Sequence, residues 1–249
     1  MAQLEQTSKL IGDIYDAALD LALWTSVLQR IAHFVGGTAA ALYAKDTVRK
    51  TGNFFRMFGI ETEFVRSYFD KYARLDPFTA SRFFFPVEQV ISTRDVMPHE
   101  EFRETIFFKE WARPQGWIDF VSALLEKSHV KYSECVVFRH ESEGVTDNKA
   151  RRKMKLIVPH VRRAVLIGEV IDLRKVEAAG LADTLDGIAA ALFLVDADGR
   201  IVHANVSGHR MLQEGDVLRS ALGKLAACDQ NGDQAVSYTH LTLPTTPYV

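Results

Sequence analysis

Hydrophobic positions recur at helical spacing through the first part of the chain. Between Gln6 and Phe34 the apolar residues Ile11, Ile14, Tyr15, Ala18, Leu21, Ala22, Val27, Leu28 and Ile31 fall at three- and four-residue steps. That period predicts one amphipathic helix or a kinked pair, closed by Gly36-Gly37. The apolar run Ala39 to Ala44 then suits a buried strand, and Asn53 to Phe58 a second one, joined through a polar turn into a hairpin. Glu61 to Tyr72 returns to helical period with Phe64, Val65, Tyr68 and Tyr72 on one side, and Asp76-Pro77 redirects the chain.

The second half repeats this change of period. A short extended run covers Gln89 to Ser92, and Pro98 to Trp111 is predicted helical with Phe102, Ile106 and Phe107 on its apolar side. After Gly116, Trp117 to Lys127 and Lys131 to Glu141 are strong strand candidates, the second with Tyr132, Glu134, Val136 and Phe138 on one parity. Asp147 to Lys175 carries the stripe Met154, Ile157, Val161, Val165 and Ile171 of a long helix, which Pro159 should kink. Helix, strands, helices, strands and a long helix make an α+β architecture: an antiparallel sheet flanked by helices. From Leu181 a second unit is expected: an apolar strand over Ile188 to Val195, an Asp196-Ala-Asp-Gly-Arg200 turn, a returning strand, and a helix capped by Asn205.

Composition adds constraints more than identity. With 47% apolar and 25% charged residues the chain is an ordinary globular protein, which excludes disorder and collagen-like repeats. A formal charge of -2 gives no whole-chain attraction to nucleic acid or membrane. The length of 249 residues suits one large domain or two of about 100–150. The two cysteines, Cys135 and Cys228, provide neither a disulfide framework nor a metal motif, and Cys135 in its apolar run reads as a buried thiol. The polar N-terminus lacks a signal peptide's apolar core, and no apolar run approaches the roughly 18 residues of a membrane span. A cytoplasmic location without membrane contact is expected.

The last residues break with this pattern. Val236 to Val249 reads VSYTHLTLPTTPYV, without charge or helical period, and resembles a conceptual translation of a sequencing adapter. The expectation is that natural sequence ends near Ala235 and that 236–249 is an artefact to be kept out of fold reasoning.

No enzyme motif is present: neither Gly-x-Gly-x-x-Gly, a phosphate loop, His-Glu-x-x-His nor Gly-x-Ser-x-Gly. The eight histidines are scattered, so no metal and no cofactor is assigned, and His160 reads as an exposed helix residue. The run Lys149, Arg151, Arg152, Lys153 and Lys155 reads as the solvent face of the long helix, and Glu100-Glu101 and Glu141/Glu143 as solvated turns. Sixteen aromatic residues between Phe54 and Trp117 fit either a plain aromatic core, which composition favours, or a mostly apolar small-molecule pocket.

Three segments in order carry a family resemblance. Phe64-Val-Arg-Ser-Tyr68-Phe-Asp-Lys-Tyr72-Ala-Arg-Leu-Asp76-Pro77-Phe78 resembles the ligand-pocket signature of LuxR-type transcriptional regulators. Phe107-Phe108-Lys-Glu-Trp111-Ala-Arg-Pro-Gln-Gly116-Trp117 resembles that family's helix, glycine, strand step. Leu156-Ile-Val-Pro159-His160-Val-Arg-Arg163-Ala164-Val resembles the helix that follows its sensor sheet. The resemblance implies a GAF-like or autoinducer-domain-like sensor with Phe64, Tyr68, Tyr72, Asp76, Trp111 and Trp117 as ligand-binding residues. In that family the Asp accepts a hydrogen bond from a ligand amide and the Tyr binds a ligand carbonyl. Phe64 stands where acyl-homoserine-lactone receptors carry Trp, and the Tyr68-to-Asp76 spacing is one residue shorter. These departures argue against a lactone and leave open another small molecule or no ligand.

Asp183 to Asp229 resembles the start of a PAS domain, the run Asp186 to Asn205 carrying its strand, Asp-Gly turn, strand and Asn. The implied organisation is a sensor domain over 1–146, a connecting signalling helix over 147–180 and a truncated PAS-like unit over 181–235. The function implied is sensory rather than enzymatic. A small molecule or partner would control DNA binding through a C-terminal helix-turn-helix not encoded here, with homodimerisation through the Asp147–Lys175 helix. The alternatives are the sensor half of a histidine kinase or cyclic-nucleotide signalling enzyme, and a stand-alone interaction protein.

Overall fold

The structure, a computed structural model, describes residues 2–46 and 51–229. The suspected artefact at 236–249 lies outside the described residues. Two compact units divide the chain, Met1–Ile171 and Asp172–Val249.

In the first unit the N-terminal apolar stripe forms two helices, α1 (Ala2–Leu19) and α2 (Trp24–Val35). Of the two forms the period allows, the broken pair is the one adopted. The break falls at Asp20, whose carboxylate accepts from the Ala22 amide at 3.0 Å and caps a short turn over Leu21–Leu23. A side chain that satisfies the backbone locally competes with continued helix. Gly36, at φ 96°, ends α2 in the left-handed region.

Strands β1 (Ala39–Asp46) and β2 (Thr51–Phe58) form the predicted hairpin. A helical layer follows: α3 (Thr62–Asp70), a turn at Tyr72–Arg74, and the one-turn helix α4 (Phe78–Ser81). Then come β3 (Val90–Ser92), α5 (Thr93–Val96) and α6 (His99–Glu104). The single helix expected over Pro98 to Trp111 is interrupted. Thr105 leaves helical geometry at ψ 149°, and its hydroxyl accepts from the Phe108 amide at 3.1 Å, starting a separate π-helical turn over Phe108–Ala112. The long strands β4 (Trp117–Lys127) and β5 (Lys131–His140) complete an antiparallel sheet of order β2-β1-β5-β4-β3.

Both faces of this sheet are covered, and alternation sorts the residues. Ala40, Leu42, Val121, Ala123, Leu125, Cys135 and Val137 pack against α1, α2 and the start of α7 (Asn148–Asp186). Ala39, Ala41, Tyr43, Phe120, Leu124, Tyr132, Val136 and Phe138 face the aromatic residues of the helical layer. Dry faces on both sides explain why the strands read as nearly continuous apolar runs. Burial pushes the Cys135 thiol up to about 12, so it is inert as expected.

Helix α7 remains α-helical through Pro159 and continues past Lys175 to Asp186. His160 is half-buried rather than exposed, its Nδ1 3.1 Å from the Tyr15 hydroxyl.

The second unit contains two hairpins, β6 (Phe193–Val195) with β7 (Ile201–Ala204) and β8 (Leu218–Ala221) with β9 (Lys224–Ala227), and helix α8 (Val206–Glu214). Asn205 caps α8, accepting from the Gly208 amide at 2.8 Å and from Leu192 at 2.9 Å. Its amide group donates to Leu185, Ile188 and Ala190 carbonyls. This one buried side chain therefore organises the entry to the hairpin as well as the helix.

Candidate functional site

The aromatic face of the sheet holds a small cavity of about 20 Å³, lined by Tyr43, Tyr68, Asp76, Phe78, Arg82, Phe107, Trp111, Phe120, Glu134, Val136 and Phe138. That volume holds roughly one water molecule. Most of the aromatic residues between Phe58 and Trp117 are packed core, as composition favours, and the cavity is a seam within it.

Three of the sequence-predicted residues meet at the cavity. Tyr68 on α3 donates its hydroxyl to Asp76 Oδ2 at 2.7 Å. Asp76 precedes Pro77, and its Oδ1 accepts from the Phe78 amide at 2.9 Å, so the carboxylate is fixed by the chain it redirects. Trp111 sits in the π turn, stacks on Phe107 with centroids 5.0 Å apart, and donates its indole N–H to the Phe64 carbonyl at 2.9 Å. The other three lie elsewhere. Phe64 contributes that carbonyl but does not line the cavity. Tyr72 donates to Glu110 at 3.0 Å beside Lys71, toward solvent. Trp117 is stacked on Phe138, centroids 4.2 Å apart, behind the cavity wall.

Sequence reasoning missed the charged residues that accompany Asp76. Lys45 on β1 lies 3.1 Å from Asp76 Oδ2 and 2.7 Å from the Thr79 hydroxyl. Arg82, just after α4, donates from Nη2 to Glu134 Oε1 at 3.0 Å and forms an ion pair with that carboxylate. The Tyr43 hydroxyl also donates to Glu134, its direct partner across the β1–β5 register. Lys45, Asp76, Arg82 and Glu134 are all buried. Their signal was parity. Lys45 follows Tyr43 by two residues, and Glu134 lies between Tyr132 and Val136, so each is a charge on a face that is otherwise apolar.

Burial sets the electrostatics. It favours the neutral forms of Lys45 and Glu134, lowering the ammonium and pushing the carboxyl well above its usual range. For Asp76 burial acts in the same sense as for Glu134, but Lys45, the Tyr68 hydroxyl, Arg82 and the Phe78 amide together outweigh it and hold the carboxyl low. Tyr68 is raised by burial and by the adjacent Asp76 charge, so it stays a hydroxyl donor. The polar groups thus form two joined ion pairs beneath an aromatic roof. The arrangement can bind and orient. Among the described residues no three His, Cys, Asp or Glu side chains gather as a metal-ligand set, and no helix is long and apolar enough to cross a membrane.

No protein-family model matches the sequence, and no curated protein matches it. Solved structures do. The ligand-binding domain of VqsR from Pseudomonas aeruginosa is similar at a TM-score of 0.52 and 16% identity, over 65% of this chain and 94% of that one. CepR2 from Burkholderia cenocepacia, described as an N-acylhomoserine lactone dependent LuxR family transcription factor, is similar at 0.51 and 12%, over 68% and 98%. A GAF domain of a phosphoenolpyruvate-protein phosphotransferase from Coxiella burnetii matches less well, at 0.42 and 11%, over 70% and 98%. The likeness establishes the fold: the mixed helix and antiparallel-sheet class expected from sequence.

Proposed function

We propose that residues 1–146 form the small-molecule sensor of a LuxR-type transcriptional regulator. The observation that carries this reading is the buried Tyr68–Asp76 hydrogen bond at an aromatic-lined cavity, within a fold shared with two ligand-binding domains. Tyr68 and Asp76 are the site's polar determinants in this reading, with Trp111 as wall. Phe64, Tyr72 and Trp117 support the wall from behind.

In the full regulator, ligand binding biases the packing of α7, which pairs with a second copy and relays to a C-terminal helix-turn-helix that contacts DNA. Residues 181–235 act as the beginning of a PAS-like unit between the two, with 147–180 as the connector. Asn205 supports this part of the reading, because its buried hydrogen bonds make a Asp-Gly hairpin and the following helix one cooperative unit. The protein works in the cytoplasm as a sensor, with no catalytic step of its own.

The test is a thermal-shift screen of the purified chain with acyl-homoserine lactones, aromatic acids and neutral lipophilic compounds. A stabilising compound whose effect falls with Tyr68→Phe and Asp76→Asn supports the reading. No stabilisation by any class, or stabilisation indifferent to both substitutions, refutes it.

A further inference from the structure

The two residues that the family resemblance assigns to ligand recognition are already engaged. Asp76 Oδ2 accepts from Tyr68 and from Lys45, and its Oδ1 accepts from the Phe78 amide. Another charged residue of the same cavity differs. Arg82 lines the cavity, is 2% exposed, and its Nη1 has no hydrogen-bond partner among the described residues. A guanidinium N–H sealed from water and left unpaired is costly, and its side chain is part of the cavity lining. Around it stand the faces and edges of Phe78, Phe107, Trp111, Phe120 and Phe138. Arg82 itself lies over the Phe78 ring, 5.2 Å from its centroid. A planar fork of donors beside aromatic walls matches a planar oxyanion attached to a ring.

We propose that this cavity takes a small aromatic carboxylic acid, its carboxylate on Arg82 and its ring among Phe107, Trp111 and Phe120. This rests on the sensor reading above and names the ligand class for that same site. Room for the ring comes from movement of the wall that carries Phe107 and Trp111, the segment interrupted at Thr105 and wound as a π turn over Phe108–Ala112. Such turns are a frequent accompaniment of functional sites.

Arg82 is shared: Glu134 accepts from its Nη2 at 3.0 Å and pairs with it. Burial already pushes the Glu134 carboxyl well above its usual range, so Glu134 is a weak competitor for the guanidinium. The incoming carboxylate takes its place on Arg82.

The experiment is calorimetric titration of the full chain with benzoate, phenylacetate and 4-hydroxybenzoate, and with benzamide and an acyl-homoserine lactone as uncharged comparators. The acids are expected to bind at least tenfold more tightly than benzamide. Glu134→Gln is expected to bind the acids more tightly. Arg82→Met combined with Glu134→Gln removes both charges, leaves no unpaired ion, and is expected to stay folded and lose the acids at least tenfold. Equal binding of benzamide, or acid binding that survives the double substitution, overturns the proposal. If the lactone binds in a Tyr68- and Asp76-dependent way while the acids do not, the sensor reading stands and this inference falls. If no compound binds, both fall.

Discussion

Lys45 Nζ lies 3.1 Å from Asp76 Oδ2, and both side chains are almost wholly removed from water. One residue comes from the end of a strand, the other from the bend after a helix. Their pairing ties the central sheet to the helical layer that roofs the cavity. A buried ion pair of this kind adds little net stability compared with an apolar pair, but removing one partner leaves the other charge stranded.

Asp76→Asn is therefore expected to cost about 3–5 kcal/mol at neutral pH. The folded carboxyl is held below its ordinary value of 3.8, so its stabilising contribution is complete above that value. It is lost as the pH falls through the folded value. Urea unfolding at pH 7, 4 and 3 should show the gap between native and variant chains narrowing only at the acid end. A gap of constant size would assign the loss to packing.

Lys45→Met in the Asp76→Asn background is expected to recover part of that loss, because no charge is then left unpaired. A double-mutant cycle on unfolding free energies should return a coupling of about 1–3 kcal/mol. Strict additivity would show that the two side chains are neighbours without being partners.

Gly37 and Gly12 make a matched pair of opposite sign. A Cβ at Gly37 would sit 2.4 Å from Val137 Cγ1 and 2.5 Å from the Phe138 carbonyl oxygen, and the latter belongs to the sheet backbone. Gly37→Ala should cost about 1–3 kcal/mol. Gly12 lies in α1 with nothing within 4 Å of the added carbon, so Gly12→Ala should add about 0.5–1 kcal/mol. Thermal melts of the two variants decide both.

Trp111→Phe keeps the ring in the wall but deletes the donor to the Phe64 carbonyl. A loss of about 1–3 kcal/mol is expected, since the carbonyl is left without that partner. If Trp111 only fills space, Trp111→Phe will melt within experimental error of the native chain.

Asn205→Ala should act on the second unit alone. It removes the acceptor for Leu192 and Gly208 and the donor to three carbonyls. Native-state hydrogen exchange should report faster opening of the amides between Ile188 and His209, with those of β4 and β5 unchanged. Equal acceleration in both units would contradict the division of the chain at Ile171.

Period and punctuation were enough to read the sheet and its covering helices from sequence. The apolar runs of β1, β4 and β5, the stripe of α7 and the cap at Asn205 are local patterns with local causes, and the structure places each where the pattern does. Interruption by side-chain hydrogen bonds was harder to read. Asp20 and Thr105 each divert a backbone that hydrophobic period alone would have continued as helix. Tyr68 and Asp76 were singled out by a family resemblance in one short segment, and the fold brings them within hydrogen-bond distance.

The buried charged cluster at the cavity was decided only in three dimensions. Lys45, Arg82 and Glu134 are remote from one another along the chain, and each on its own is an ordinary surface residue type. The β1–β5 register sets Tyr43 opposite Glu134 and Lys45 opposite Tyr132, and the turn after α4 brings Arg82 onto the same face. The sequence determined which faces would be apolar, since that depends on alternation within a strand. Which charges share the buried cavity, and what they can bind, depends on how separate strands pair and what covers them, and only the tertiary structure decides that.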